Sequence, residues 1–215
     1  MLFIYIMQKI LTYIIQFATV LFAISIHEAA HGWMANLFGD PTAKNQGRVT
    51  LNPIAHIDLV GTIIFPLLLI AMGAPVFGWA KPVMVNPYNL RNPRRDHMFI
   101  AAAGPGSNIL ASISAIIIFV ILKRLNVITL MNPGIIALIL FYLIVINIFL
   151  AIFNLIPIPP LDGSGIIEGL LKGQALESYQ KIKPFGFIIL IVIIYAGFLD
   201  ILARPILNFI IGILA

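Results

Sequence analysis

The chain is dominated by apolar runs that are long enough to cross a lipid bilayer. Residues 10–33, 99–122 and 134–156 each supply the roughly 20 apolar residues that a membrane helix needs. The composition agrees, because 61% of the 215 residues are hydrophobic and only 10% are charged. A soluble domain of this size needs far more polar surface. The sequence therefore predicts an integral membrane protein.

A shorter apolar run covers residues 59–72 and is interrupted by Gly61 and Pro66. Apolar runs of about 10–14 residues are more often re-entrant or buried than spanning. The polar stretch before it alternates over residues 48–51, which suits a short β-strand. A strand there could pair with an extended peptide, which makes Val49 a candidate substrate-binding residue. A plain surface loop is the alternative.

These runs predict an all-α polytopic membrane protein. We expect about five to six membrane helices or half-helices, with a short β or re-entrant element after the first helix. Residues 1–215 are expected to form one integral-membrane domain, with a core at about residues 10–172 and a C-terminal membrane segment at 185–215. The absence of cysteine excludes disulfides and thiolate metal ligands.

The five residues at positions 27–31, His-Glu-Ala-Ala-His, contain candidate metal ligands and a candidate base. On a helix, His27 and His31 lie on one face about one turn apart, so both imidazoles can ligate one Zn²⁺. Glu28 lies about 100° round the helix and can act on water without being a ligand. Incidental histidines on a soluble helix are the alternative, but ionisable residues inside a membrane are costly and usually functional. The motif predicts the geometry of a zinc protease.

A catalytic zinc site usually has a third protein ligand. The metzincin extension of the motif fails, because Met34 and Leu37 stand where it requires Gly and His. Asp162 lies in proline-broken backbone between apolar runs, where an unpaired carboxylate would be costly. It is therefore favoured over His56, although it could instead cap a helix. The other candidates considered are Asp58, Asp96, His97 and Asp200.

Three motifs in order, HEAAH, GPGSN and NLIPIPPLDG, resemble the site-2 protease family of intramembrane zinc metalloproteases. The stretches RVTLNPIAHIDLVGT and GWAKPVMVNP are similar to its compact prokaryotic branch, which lacks PDZ and CBS domains. The resemblance covers most of residues 20–170. One departure is visible: Ser164 and Gly165 follow Asp162-Gly163, where many members carry a second glycine and a basic residue.

The resemblance implies one Zn²⁺ per chain, held by His27, His31 and Asp162, with Glu28 as general base. It also implies that Asn154 and Asn108 lie near the site and hold substrate or stabilise an oxyanion. A hydrogen bond between helices is the alternative for both asparagines, and for Asn108 it is an equal one.

The expected function is an intramembrane zinc endopeptidase that cuts membrane-embedded protein substrates. Its expected partners are a transmembrane protein substrate and membrane lipid, and no basic run interleaved with aromatics suggests nucleic acid. The rival is a catalytically inactive relative or a small metal-binding transporter, against which Glu28 argues.

Charge predicts the orientation in the cell membrane. Up to residue 183, Lys and Arg divide 8 to 4 between the two sides if every apolar run crosses the membrane. If residues 59–72 instead dip in and return, they divide 9 to 3, which the positive-inside rule prefers. The nine are Lys44, Arg48, Lys81, Arg91, Arg94, Arg95, Lys172, Lys181 and Lys183, and the three are Lys9, Lys123 and Arg124. This multi-pass arrangement places the active site in the cytoplasmic half of the bilayer.

Overall fold

The computed structural model describes residues 2–72, 78–128 and 134–214, and the regular structure in these ranges is helical. Four helical segments are long and apolar enough to cross a membrane: Tyr5–Leu37, Pro93–Arg124, Gly134–Asn154 and Gly173–Tyr195. The prediction of an all-α polytopic membrane protein is confirmed. The α-helices are α1 (Leu2–Leu37), α2 (Thr42–Asn45), α3 (Phe65–Ala71), α4 (Pro93–Arg124), α5 (Gly134–Asn154), α6 (Asp162–Leu170), α7 (Gly173–Gln180), α8 (Gly186–Tyr195) and α9 (Phe198–Leu214).

Helix α4 is the centre of the bundle and packs against α1, α5 and α6. Its outward face is apolar, with Leu110 and Ile117 exposed, whereas Asn108 and Ser112 on its inward face are buried. In a bilayer the outer surface meets lipid, so polar side chains are accommodated only where other helices satisfy them. The bundle is thus apolar outside and polar at its centre, which is where a site can be built.

The re-entrant segment begins at Leu59, and the chain is back beside this start at Trp79. A π-helix at Leu59–Ile64 continues into α3, so the helical part is about 20 Å long at 1.5 Å per residue, shorter than a bilayer core. Trp79 N then donates to Gly61 O at 3.1 Å, and Lys81 N donates to His56 O at 2.9 Å. This return agrees with the predicted re-entrant segment. Part of the following glycine- and proline-rich stretch, residues 73–77, lies outside the described ranges.

The strand predicted over residues 48–51 is wrong, since residues 49–51 form bends. Arg48 N donates to Ala43 O at 2.9 Å, which closes the turn after α2. Thr50 O accepts from the His56 ring at 2.9 Å. The hydrogen-bonding groups of this stretch are therefore used in local turns, and alternation of side chains cannot make a strand without a neighbouring strand.

Asp40 joins the end of α1 to the chain that returns from the re-entrant segment. It is fully buried (0% exposed). Its carboxylate accepts from Thr42 N at 3.1 Å, Asn86 N at 2.7 Å and Asn89 Nδ2 at 2.8 Å. Burial opposes ionisation, but these hydrogen bonds, led by the one from Asn89, hold the pKa of Asp40 below its ordinary value of 3.8.

Because the folded pKa of Asp40 is depressed, its contribution to stability is present at neutral pH and is lost as the pH falls below about 4. We expect Asp40→Asn to lower the free energy of unfolding by about 1–3 kcal/mol at neutral pH, because one acceptor oxygen becomes a donor. The variant should also lose part of the acid sensitivity of the wild type. Thermal unfolding in detergent at several pH values measures both effects. Glu177→Gln, on an exposed carboxylate, is the control and should change neither.

Candidate metal centre

Two histidines of α1 meet the first residue of α6 at the centre of the bundle. His27 Nε2 lies 3.0 Å from Asp162 Oδ2, and His31 Nε2 lies 3.4 Å from Asp162 Oδ1. The two imidazole rings are 4.7 Å apart and nearly perpendicular, and both are buried, at 7% and 8% exposure. One potential ligand atom from each of the three residues lies within 4.8 Å of the others. The structure therefore brings the three predicted ligands together across 131 residues of sequence (162 − 31).

The outer nitrogens of both rings are occupied. His27 Nδ1 lies 2.6 Å from Asn108 Oδ1, and His31 Nδ1 lies 2.6 Å from the backbone oxygen of Ile100. Both oxygens can only accept, so each Nδ1 is assigned as the protonated nitrogen. Each neutral ring then turns the lone pair of Nε2 toward Asp162. Such an outer hydrogen bond also orients the histidine ligands of metal sites.

The three groups fit a zinc ion. Asp162 Oδ2 is buried and accepts no hydrogen bond, although His27 Nε2 lies 3.0 Å away. Two nitrogen lone pairs facing a carboxylate repel it, and a cation between them turns that repulsion into attraction. Two imidazoles and one carboxylate are a donor set that zinc enzymes use, with a fourth position left for water or substrate.

Asp162 reaches the histidines because the backbone before it is folded into tight turns. Leu161 N donates to Ile158 O at 2.9 Å, and Gly163 lies so close to Leu155 O that a Cβ would be 2.4 Å away. The alternative role of Asp162 as a helix cap is wrong, because Leu161 occupies the cap position and no side chain caps α6. The alternative ligand His56 is not part of the group of three candidate ligands. It lies just before the re-entrant segment, where its backbone oxygen accepts from Lys81 N.

Glycine at position 104 allows α4 to lie directly against both imidazoles. A Cβ there would be 2.4 Å from His31 Nε2 and 2.6 Å from His27 Nε2. Asn108 follows one turn later on the same face, where it accepts from His27. The four-residue spacing of Gly104 and Asn108 was a visible signal for this role, because it places both on one helix face.

Glu28 lines the same cavity as the three candidate ligands. The cavity has a volume of about 780 Å³ and is also lined by Asn154 and by Val83. Glu28 Oε2 accepts from Val83 N at 3.0 Å, so the chain returning from the re-entrant segment orients the carboxylate. No sequence signal indicated this contact, because Val83 contributes its backbone rather than its side chain.

Two predicted substrate-binding residues do not lie in this cavity. Asn108 is fully buried (0% exposed), and its oxygen and amide nitrogen are bonded to His27, Ala23 and Asn147. Its position matches the alternative of a hydrogen bond between helices. The Val49 side chain packs beside Gly32 of α1, where a Cβ would be 3.1 Å from it. Val49 lies there because its segment turns instead of extending.

Known proteins are similar to this chain in sequence. The model described as Peptidase family M50 matches residues 125–196. "Putative zinc metalloprotease YwhC" from Bacillus subtilis is 34% identical over 208 residues, which cover 96% of this chain and 90% of that protein. "Putative zinc metalloprotease Rip2" from Mycolicibacterium smegmatis is 25% identical over 184 residues, covering 85% and 67%. No solved structure matches the chain.

The chain therefore belongs to peptidase family M50, the site-2 protease family, as its motifs predicted. Together with the membrane-length helices, this membership makes it a membrane protein of a zinc metalloprotease family.

Gly104→Ala tests the close approach of α4 to the candidate ligands. The added methyl group must displace an imidazole, so zinc affinity is expected to fall by about 10-fold or more, the range seen for disturbed ligand orientation. Competition with a chelator on purified protein in detergent measures it. Gly106→Ala is the matched control, because nothing lies within 4 Å of its added Cβ. Equal zinc affinity in both variants would contradict the assigned geometry.

Proposed function

We propose that this protein is an intramembrane zinc endopeptidase that hydrolyses peptide bonds of membrane-embedded proteins. One observation carries the proposal. His27, His31 and Asp162 converge in a cavity that Glu28 also lines, inside a bundle whose outer faces are apolar. Such a cavity holds ligands, a base and room for a peptide at the depth of a membrane helix.

His27, His31 and Asp162 would hold the ion. When bound, Zn²⁺ supplies Lewis-acid chemistry that activates water and polarises a carbonyl group. We expect one ion per chain, since this is the single group of three such ligands among residues 2–72, 78–128 and 134–214.

Glu28 is proposed as the general base. Its Oε2 is anchored by the Val83 N–H, which leaves the other carboxylate oxygen to take a proton from water. Water adds to the peptide carbonyl carbon, the C–N bond breaks, and Glu28 returns the proton to the leaving nitrogen. The same anchor keeps the carboxylate beside the ligands and not among them.

Asn154 is proposed to stabilise the charge that develops on the substrate carbonyl oxygen. Its Nδ2 donates one hydrogen to Leu150 O at 3.0 Å, which fixes the amide at the end of α5. The second hydrogen of Nδ2 is available to the cavity that Asn154 lines. Donors aimed at such an oxygen contribute a few kcal/mol of transition-state stabilisation, about 3–4 in known cases.

The substrate would reach the site as an unwound part of a membrane helix. Peptide carbonyls inside a helix are occupied by backbone hydrogen bonds, so the scissile group becomes accessible only where the helix opens. The chain returning from the re-entrant segment, with Trp79 and Val83, forms one wall of the cavity. Lipid surrounds the remaining apolar faces. The charge distribution supports an active site in the cytoplasmic half of the bilayer.

Glu28→Gln tests the mechanism. The glutamine oxygen can still accept from Val83, so we expect the fold and zinc affinity to be kept while cleavage of a model transmembrane substrate falls by about 10²–10⁴-fold. Zinc content and cleavage are both measured on purified protein in detergent. Glu177→Gln, an exposed glutamate-to-glutamine change, should cleave like the wild type.

Three outcomes separate the candidate functions. Cleavage lost with zinc retained supports the protease. Equal cleavage by wild type and Glu28→Gln contradicts the role of Glu28. Zinc binding without any cleavage by the wild type would favour the inactive relative or the transporter.

Cysteine labelling tests the orientation, and the natural absence of cysteine makes single substitutions clean. We expect a membrane-impermeant thiol reagent to label Val127→Cys in intact cells. Lys44→Cys and Lys81→Cys should react only once the membrane is opened, because the re-entrant segment returns to its own side. Labelling of Lys81→Cys in intact cells would show that this segment crosses the membrane.

A further inference from the structure

Two buried asparagines form a chain of hydrogen bonds that ends on a candidate zinc ligand. Asn147 Nδ2 donates to Leu143 O at 2.8 Å, and Asn147 Oδ1 accepts from Asn108 Nδ2 at 2.8 Å. Asn108 Oδ1 then accepts from His27 Nδ1 at 2.6 Å. Both asparagines are fully buried (0% exposed), so no water competes for these bonds. The chain links α5, α4 and α1.

The direction of every bond in this chain follows from its first member. A backbone carbonyl such as Leu143 O can only accept, so the nitrogen of the Asn147 amide faces it. The oxygen of Asn147 therefore faces Asn108 and requires a donor there. Asn108 must present its nitrogen to Asn147 and its oxygen to His27.

The imidazole at the end of the chain receives a fixed tautomer. Because the Asn108 oxygen accepts, Nδ1 of His27 must carry the proton, and Nε2 keeps its lone pair toward Asp162. If the Asn108 amide turned over, its nitrogen would face Nδ1. The proton would then move to Nε2, which would bond to Asp162 and could not bind a metal.

We propose that Asn147 is a positioning residue of the zinc site, acting through Asn108 on the tautomer of His27. This inference rests on the proposed zinc site. Ala23 O also accepts from Asn108 Nδ2, at 3.1 Å, and so shares in orienting that amide. The bond that Asn108 Nδ2 donates to Asn147 Oδ1 is shorter, and the Asn147 amide is itself directed by Leu143 O. Through this bond α5 acts on the amide that holds His27.

The competing explanation is that Asn147 merely joins α4 to α5. The protein offers a matched control for this explanation, because Ser112 Oγ donates to Ile144 O at 3.3 Å between the same two helices. Ser112 is also buried (1% exposed), lies one turn from Asn108, and has no bond to His27. Ser112→Ala therefore removes a contact between the helices without touching the chain of amides.

Asn147→Leu removes the acceptor that faces Asn108. We expect zinc affinity, measured by chelator competition on purified protein in detergent, to fall about 10- to 100-fold, as for other outer partners of metal ligands. Ser112→Ala should keep the zinc affinity of the wild type, whatever it does to thermal unfolding. If Asn147→Leu does not fold, Asn147→Ala replaces it, since alanine also removes the acceptor that faces Asn108 and adds no bulk.

A second experiment, in the Asn108→Asp variant, isolates the effect of the orientation of the Asn108 amide. In Asn108→Asp both carboxylate oxygens accept, so either one serves His27 and the direction set by Asn147 no longer matters. Adding Asn147→Leu to Asn108→Asp should therefore leave zinc affinity unchanged or improved. A loss of affinity there as large as in the wild-type background would overturn the proposal. So would an Asn147→Leu protein that binds zinc like the wild type, or an equal loss in Ser112→Ala.

Failure of the zinc site itself has a different signature. If Asp162→Asn binds zinc as well as the wild type does, the ligand assignment is wrong, independently of Asn147. If Asp162→Asn loses zinc and Asn147→Leu keeps it, the site stands and only the role of Asn147 is rejected.

Discussion

The fold depends on the cost of holding a carboxylate inside an apolar bundle. Asp162 lies between apolar segments, and a charge of this kind is several kcal/mol unfavourable away from water, on the order of 3 or more on membrane scales. The structure directs two imidazoles at this carboxylate, and as neutral rings with Nε2 lone pairs they do not offset that cost by themselves. Because their lone pairs face the carboxylate, the arrangement is complete only with a cation. The geometry of these polar groups is therefore that of a candidate metal site.

That requirement explains why one rigid helix is combined with irregular backbone. Helix α1 holds His27 and His31 one turn apart without help from the rest of the chain. The turns before Asp162 direct its side chain toward His27 and His31. The chain returning from the re-entrant segment brings the Val83 N–H to Glu28. Irregular backbone at membrane depth persists here because protein covers it or it lines the cavity.

Close packing at the centre depends on a glycine as well as on a buried amide. Gly104 lets α4 touch both imidazoles, and Asn108, one turn away, accepts from one of them. The hydrogens of Asn108 Nδ2 go to Ala23 and Asn147, so the amide of Asn108 has one direction. Satisfied polar networks of this type are rigid, which is what ligand orientation needs.

Periodic and local features could be predicted from the sequence because they depend on neighbours in the chain. The long α1, the short re-entrant run and the facing pair His27 and His31 all follow from helix geometry and bilayer thickness. The strand expected around Val49 failed, since a strand needs a partner that no local pattern supplies.

The sequence by itself determined a helical membrane protein with two histidines on one helix face, in the pattern of a zinc site, and a glutamate beside them. Only the tertiary structure decided the rest. It brought Asp162 to the histidines and made Asn108 a partner of His27 instead of a substrate contact. It also assigned the backbone of Val83 to Glu28. Each of these depends on contacts between residues far apart in the chain, whose distances no spacing in the sequence encodes.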